Sequence, residues 1–455
     1  MKQKAGTKDR LSAGKILSLS LMLFAMFFGA GNMIFPPALG QQAGTSFVAG
    51  VFGFILTDAG LSVLGIAAVV LAGSHLDDLS GRIGPRFSVA LGVVLFLLIG
   101  PLFALPRTGT VSFEMALLPF LPQGASAFFP CLAFTFVFFL ITFFLSRNPS
   151  RLVDIVGKCL TPVLLVAIGL IFAGSLLHPP GPIVQPVGDY ARMPFFKGLL
   201  EGYLALDGPA ALVFAMIVIN SVKESGIRES KRIARYTLLT GFFAVLGLGI
   251  TYMALGYAGA VTSSMDIFEN GGQLLSWLTS SFYGTAGVIL LGVAVLLACL
   301  TTAIGLASSF SDYFHGLLPR FSYQGILAGV CLFSFLISNL GLSQLIHYTL
   351  PALMMLYPPL IVMVALSFFD RFFKSKPEAY AMAMIFAFAV GVLNGLESLE
   401  LSLGALGEAA ALLPWYELGV GWILPALVGF GLGLLPGVRF LGGRAVALKS
   451  QRKTL

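Results

Sequence analysis

Charge is what this chain has least of. Only 10% of its 455 residues are Asp, Glu, Lys or Arg, whereas a soluble globule carries about 25%. Paired cysteines are also missing. Cys131, Cys159, Cys299 and Cys331 stand singly in apolar stretches, which excludes a disulfide framework or a Cys-rich metal site and leaves them as small core hydrophobes. The four histidines are dispersed, none at metal-ligand spacing. One adjacent acidic pair, Asp77-Asp78 after His75-Leu76, has no counterpart elsewhere and reads as a solvated loop. A membrane-embedded transferase, which needs acidic clusters around divalent metal, therefore finds little support. Alternating ten-residue strands of an outer-membrane barrel are absent as well.

What remains is apolar. Hydrophobic residues make up 57% of the chain and the mean hydropathy is +0.94. Runs such as Val89 to Pro106 and Ile289 to Leu306 are long enough to cross a hydrocarbon core of about 30 Å at about 1.5 Å per helical residue. Lys2, Lys4, Lys8, Arg10 and Lys15 resemble the basic region of a signal peptide. The apolar stretch after Leu17, however, runs past Gly29 and Asn32 into Pro36-Pro37 with no small-residue cleavage site. It reads as the first membrane span.

Apolar runs between breaks predict an all-α polytopic membrane protein of about twelve spans, near 15–41, 46–72, 87–114, 128–145, 152–177, 195–220, 233–260, 284–313, 323–340, 345–369, 378–397 and 417–436. Of the 27 Lys and Arg residues, all but Arg107, Lys158, Arg192 and Lys197 fall in the even-numbered loops or the tails. Basic residues are retained on the cytoplasmic side, which predicts a cell (inner) membrane protein with both termini cytoplasmic. Lys158 snorkels to the cytoplasmic surface. The net charge of +7 then reflects topology and anionic lipid, with no case for nucleic acid.

Two spans carry breaks. Span 1 contains Gly29-Ala30-Gly31-Asn32 followed by Pro36-Pro37, and span 6 contains Leu206-Asp207-Gly208-Pro209. Each reads as a helix that stops and restarts, with Asp207 as an N-cap and Pro209 in the first turn. Unwound backbone in hydrocarbon persists only where a cavity or ligand satisfies it. The breaks lie in spans 1 and 6, five apart, so the second unit enters the membrane from the opposite side. Inverted repeats of this kind place substrate and ion at the paired breaks. The predicted organisation is a tail (1–14), a five-helix repeat (15–177), its inverted partner (178–369), two further helices (370–436) and a second tail (437–455).

Exposed N–H groups and the positive end of a restarting half-helix suit a carboxylate, and free carbonyls suit a hard cation. The expected cargo is an amino acid with a coupling cation. An ion channel is the other non-enzymatic reading; its continuous polar lining is not what broken helices supply. Charged residues inside the spans need a partner or a use. Asp207 is the leading site candidate. Arg107 and Glu114 share a face of span 3, too far apart for a direct bond. Arg107 is expected to pair with Asp207 or Asp58, and Asp58 belongs either to that network or to a proton site.

The stretch Phe24-Ala25-Met26-Phe27-Phe28-Gly29-Ala30-Gly31-Asn32-Met33-Ile34-Phe35-Pro36-Pro37 closely resembles span 1 of the BrnQ-type branched-chain amino acid:cation symporters. Gly100-Pro101-Leu102-Phe103-Ala104 with Pro106-Arg107-Thr108, Gly202 to Asp207, and Ser338-Asn339-Leu340-Gly341-Leu342 resemble that family too. The resemblance implies a LeuT-type fold, with five-plus-five inverted repeats and two extra helices. It implies a secondary transporter, not an enzyme and with no catalytic residue, that imports leucine, isoleucine and valine with sodium, protons or both and has no other cofactor. By the same resemblance Asn32, the carbonyls of Ala25, Phe28 and Ala298, and the hydroxyls of Thr301 and Thr302 are sodium ligands. Substrate contacts are expected at Phe28, Gly29, Ala30, Gly31, Tyr203, Leu206, Asp207 and Gly208.

Overall fold

A computed structural model describes residues 10–73, 76–122, 126–147, 161–373 and 376–436. His75, Lys158, Cys159 and most of both predicted tails lie outside the described residues. Among the described residues the chain is helical, with no strand.

In chain order the helices are α1 (Ala13–Phe27), α2 (Ala30–Ala43), α3 (Phe47–Ile55), α4 (Leu61–Ala72), α5 (Leu76–Ser80), α6 (Pro85–Leu97), α7 (Ala104–Ala116), α8 (Phe128–Ser146) and α9 (Thr161–Leu177). They continue as α10 (Pro194–Gly202), α11 (Asp207–Glu224), α12 (Ser230–Ala260), α13 (Gly271–Leu317), α14 (Tyr323–Ser338), α15 (Leu342–Phe369), α16 (Pro377–Glu397), α17 (Ala405–Ala411) and α18 (Ile423–Leu434). By length and composition seven helical stretches among the described residues can cross a membrane, and eight if the pair Pro194–Ala205 and Asp207–Glu224, bent by 48°, forms one broken span. Four shorter apolar helices, α1, α9, α14 and α18, accompany them. Large apolar side chains stand on the surface, among them Phe129, Leu177, Ile250 and Leu427, as expected where the solvent is lipid.

The predicted breaks in spans 1 and 6 are present, and the structure moves several details. α1 and α2 part at Phe28 and Gly29. Pro36 and Pro37 do not end the restarted helix; they lie inside α2, which continues to Ala43. Asp207 is not an N-cap. That position falls to Leu206, whose backbone is left-handed at φ 73°, and Asp207 opens α11 with its carboxylate turned to other partners. Positive φ is costly for a bulky residue and is held by the surrounding packing. Span 8 begins earlier than hydropathy indicates. Asn270 caps Gln273 N–H at 3.0 Å and starts α13, which bends at Gly284 (φ 59°) before entering the apolar run.

Span 3 is broken too, which hydropathy alone does not reveal. Between α6 and α7 the chain passes through a π-type turn, Leu98–Leu102, with Gly100 non-helical at φ −90°, ψ −120° ahead of Pro101. A second π-type turn, Leu56–Gly60, carries Asp58 between α3 and α4. Such turns widen a helix locally and recur at functional sites.

The chain forms two compact units. The first comprises 1–63 and 96–346, the second 64–95 and 347–455. In the first, α2 and α12 touch backbone to backbone: a Cβ on Gly40 would strike the Gly256 carbonyl, and one on Gly259 the Pro37 carbonyl. Without a hydrophobic drive between helices in lipid, such small-residue contacts supply the dispersion energy that holds spans together. In the second, Arg82 meets Asp370 at 3.4 Å, and Tyr380 bonds both residues at 3.0 Å. Asp77 and Asp78 lie in the first turn of α5 and not in the loop expected from sequence, and Asp77 accepts from Ser88 at 3.0 Å within the same unit.

Candidate functional site

The breaks of spans 1, 3 and 6 bring polar groups together inside the first unit. Gly29, extended at φ −113°, ψ −155°, interrupts the helical ladder, so the first N–H groups of α2 lack a carbonyl one turn back. Asn32 caps this end from within, its Oδ1 accepting from Gly29 N–H at 3.2 Å. Its Nδ2 donates to Asp207 Oδ2 at 2.7 Å and also to the Tyr252 hydroxyl. Tyr252 in turn donates to Asp58 Oδ2 at 2.5 Å and lies 3.5 Å from Asp207 Oδ2. Asp58, Asp207 and Tyr252 are all buried. Two carboxylates from different spans thus converge on one phenol. Tyr252 was not among the residues singled out from sequence. It is one of 12 tyrosines, and nothing local marks it.

Arg107 enters from α7. Nη1 donates to the Leu204 carbonyl at 2.6 Å and Nη2 to the Ala205 carbonyl at 3.2 Å, and the guanidinium lies 5.5 Å from the Phe35 ring centroid. These carbonyls belong to the 3₁₀ turn Tyr203–Ala205 before Leu206, where the half-helix ends and its last acceptors need donors. Glu114 goes elsewhere, its Oε2 accepting from Asn270 at 3.5 Å. Span 3 therefore serves two separate places.

A narrow cavity of about 20 Å³ runs between these elements, room for about one water molecule. Gly29, Ala30, Gly31, Arg107, Thr108 and Asp207 line it together with the apolar Met26, Phe27, Ile99, Phe214 and Leu306, among others. The glycines are there because neighbours come so close. A Cβ on Gly29 would lie 2.8 Å from Thr302 Oγ1, and one on Gly31 2.8 Å from Arg107 Nη2 and 3.1 Å from Ala205 Cα. Of the substrate contacts expected from sequence, Gly29, Ala30, Gly31, Leu206 and Asp207 line the cavity. Phe28, Tyr203 and Gly208 are buried beside it and are not part of its lining. The Phe28 ring stacks on Phe24, centroids 5.3 Å apart, and on Tyr252 at 6.5 Å.

A second group of oxygens sits where α1 meets α13. Thr301 Oγ1 donates to the Ala25 carbonyl at 3.1 Å and to the Ala298 carbonyl at 2.8 Å. Thr302 Oγ1 donates to the Met26 carbonyl at 3.1 Å. The end of α1 releases its last carbonyls, and Thr301 and Thr302 meet them from the neighbouring span.

Broken spans around a buried cavity within an apolar helical bundle define a class of membrane protein, the transporters. Solved structures with similar architecture include a nucleobase-cation-symport-1 family transporter in a closed conformation, matched at TM-score 0.62 and 15% identity over 92% of this chain and 91% of that one. A Na⁺-coupled sialic acid symporter in a substrate-bound outward-open state matches at TM-score 0.62 and 13% identity over 93% and 90%.

Sequence relatives narrow the class. Residues 12–437 match the family described as branched-chain amino acid transport protein. The branched-chain amino acid permease BraB of Bacillus subtilis is 42% identical over 95% of this chain and 96% of its own length. The permease BrnQ of the same organism is 41% identical over 92% and 96%. The branched-chain amino acid transport system 2 carrier protein of Pseudomonas aeruginosa is 40% identical over 92% and 95%. This chain belongs to the branched-chain amino acid transport protein family, a family of permeases and not of enzymes.

Proposed function

We propose that this protein imports leucine, isoleucine and valine across the cell membrane by alternating access, driven by symport of sodium, protons or both, with both termini cytoplasmic. The observation that carries the reading is the cavity itself. It is lined both by the half-helix breaks, Gly29, Ala30, Gly31 and Asp207 among them, and by the apolar side chains of Met26, Phe27, Ile99, Phe214 and Leu306. The α-carboxylate of the substrate meets the first N–H groups of α2, where the helix dipole favours an anion. The aliphatic side chain lies among the apolar residues, where each buried CH₂ contributes about 0.8 kcal/mol. At about 20 Å³ the cavity is closed around less than an amino acid, so loading requires the elements that line it to move apart.

Of the expected sodium ligands, the Ala25 and Ala298 carbonyls and the Thr301 and Thr302 hydroxyls remain, with the Met26 carbonyl instead of that of Phe28, a neutral, hard donor set that suits sodium; Asn32 Oδ1 accepts from Gly29 N–H and is left out of it. The hydroxyls that now donate to the carbonyls would turn their lone pairs to the ion. Uptake of labelled leucine into proteoliposomes tests the proposal, with inward sodium and proton gradients imposed separately. Accumulation above equilibrium under at least one gradient is expected. Equilibration without accumulation under both would make the protein a passive pore, and no saturable uptake at all would refute the assignment.

A further inference from the structure

Arg107 is placed for more than closing a helix end. Its guanidinium lines the cavity directly beside the start of α2, so close that a Cβ on Gly31 would lie 2.8 Å from Nη2. Two positive features therefore converge on one small space: a full cation, and the N-terminal end of a half-helix dipole equivalent to about half a charge. Repulsion between them is relieved when an anion lies in that space. Asp207 is bonded to Asn32 and lies near Tyr252, and Asp58 is bonded to Tyr252. Among the described residues that line the cavity, Arg107 and Asp207 are the two whose side chains can carry a full charge.

A carbonyl cap alone does not require arginine. Lysine, or any long donor, can bond an exposed carbonyl. Arginine's planar fork adds the ability to hold a carboxylate through two parallel N–H bonds. The two carbonyl bonds, to Leu204 at 2.6 Å and Ala205 at 3.2 Å, fix the plane of the fork.

We propose that Arg107 is a substrate ligand: its guanidinium and the first turn of α2 together grip the α-carboxylate, making a free acid terminus the feature this carrier demands. Because Arg107 also bonds the 3₁₀ turn that ends the first half of span 6, a bound carboxylate joins α2, α7 and the Leu204–Ala205 carbonyls in one network. The inference rests on the amino acid reading given above.

The test compares leucine with leucinamide as competitors of labelled leucine on purified protein, for the wild type, Arg107→Lys and Arg107→Gln. Wild-type protein should prefer the acid strongly. Arg107→Lys, which keeps the charge and can still reach the carbonyls, should lose about tenfold or more in leucine affinity. It should lose little for the amide, so the acid-to-amide preference collapses; Arg107→Gln should go further. Equal losses for both ligands, with the preference kept, would show that Arg107 only holds span 6. A structure of the wild-type protein with leucine gives a readout independent of variant folding. A carboxylate oxygen about 3 Å from a guanidinium nitrogen is expected, and one with no contact to Arg107 overturns the inference. Wild-type protein that binds an unrelated solute and no branched-chain amino acid would overturn the substrate reading itself. Wild-type binding of leucine with Arg107 indifferent would overturn only this inference.

Discussion

Asn32 Nδ2 and Asp207 Oδ2 are 2.7 Å apart, although 175 residues separate them in the chain. The bond ties the restarted half of span 1 to the restarted half of span 6, so α2 and α11 are coupled at their first turns. Asn32→Ala removes the donor and leaves a buried carboxylate oxygen short of a partner, at a cost of about 1–3 kcal/mol or more. The expected outcome is a lower unfolding temperature in detergent and a large loss of leucine uptake. Wild-type values for both would show that the bond does not couple the breaks.

The contact of Gly31 with its neighbours supplies a second expectation. Gly31→Val places a side chain where Arg107 Nη2 and Ala205 Cα already stand at 2.8 and 3.1 Å from the Cβ position. Leucine uptake should vanish while the protein still inserts, as judged by membrane abundance. Gly169→Ala in α9, where nothing lies within 4 Å of the added Cβ, should retain most activity. Equal behaviour of the two variants would remove Gly31 from the site.

Thr301 and Thr302 place their hydroxyls against carbonyls of α1 at 3.1 Å. Under the sodium reading, Thr301→Ala or Thr302→Ala raises the sodium concentration for half-maximal uptake about tenfold, since contacts to a charged group are worth about 1.5–3 kcal/mol. Sodium dependence unchanged in both variants would take α13 out of the ion site and favour proton coupling.

Arg82 and Asp370, 16% and 18% exposed in their side chains, meet at 3.4 Å with Tyr380 bonded to both. With both side chains largely buried and Tyr380 bonded to each, removing one partner costs about 1–3 kcal/mol or more. Arg82→Ala should lower the unfolding temperature and leave the leucine KM unaltered. A large shift in KM would mean that this network takes part in transport.

The basic-residue pattern makes a topological prediction. Arg232, at the start of α12, should be cytoplasmic, and Glu408, in α17, external. Single cysteines at these positions on a cysteine-free background, probed with an impermeant reagent in intact cells, should label at 408 and not at 232. Labelling at 232 would overturn the span count.

Much of this was determined by sequence. Low charge and long apolar runs dictate membrane helices because hydrocarbon tolerates no unpaired backbone. Glycine and proline beside Asn32 and Asp207 announced two breaks, since those residues weaken a helix wherever they occur. Tertiary structure alone decided the partners. Asp207 was read as the N-cap of its own helix, but neighbours from distant spans drew its carboxylate to Asn32 and Tyr252, and a left-handed Leu206 took the cap position. Arg107 was expected to pair with a carboxylate, and its described bonds go to the Leu204 and Ala205 carbonyls. Gly100-Pro101 lay within an unbroken hydropathy run and became a third break. The physical reason is common to all three. Apolar periodicity is a local property that each segment carries by itself, whereas a buried polar group bonds whichever donor or acceptor packing brings within about 3 Å, and that choice is made only when the spans assemble.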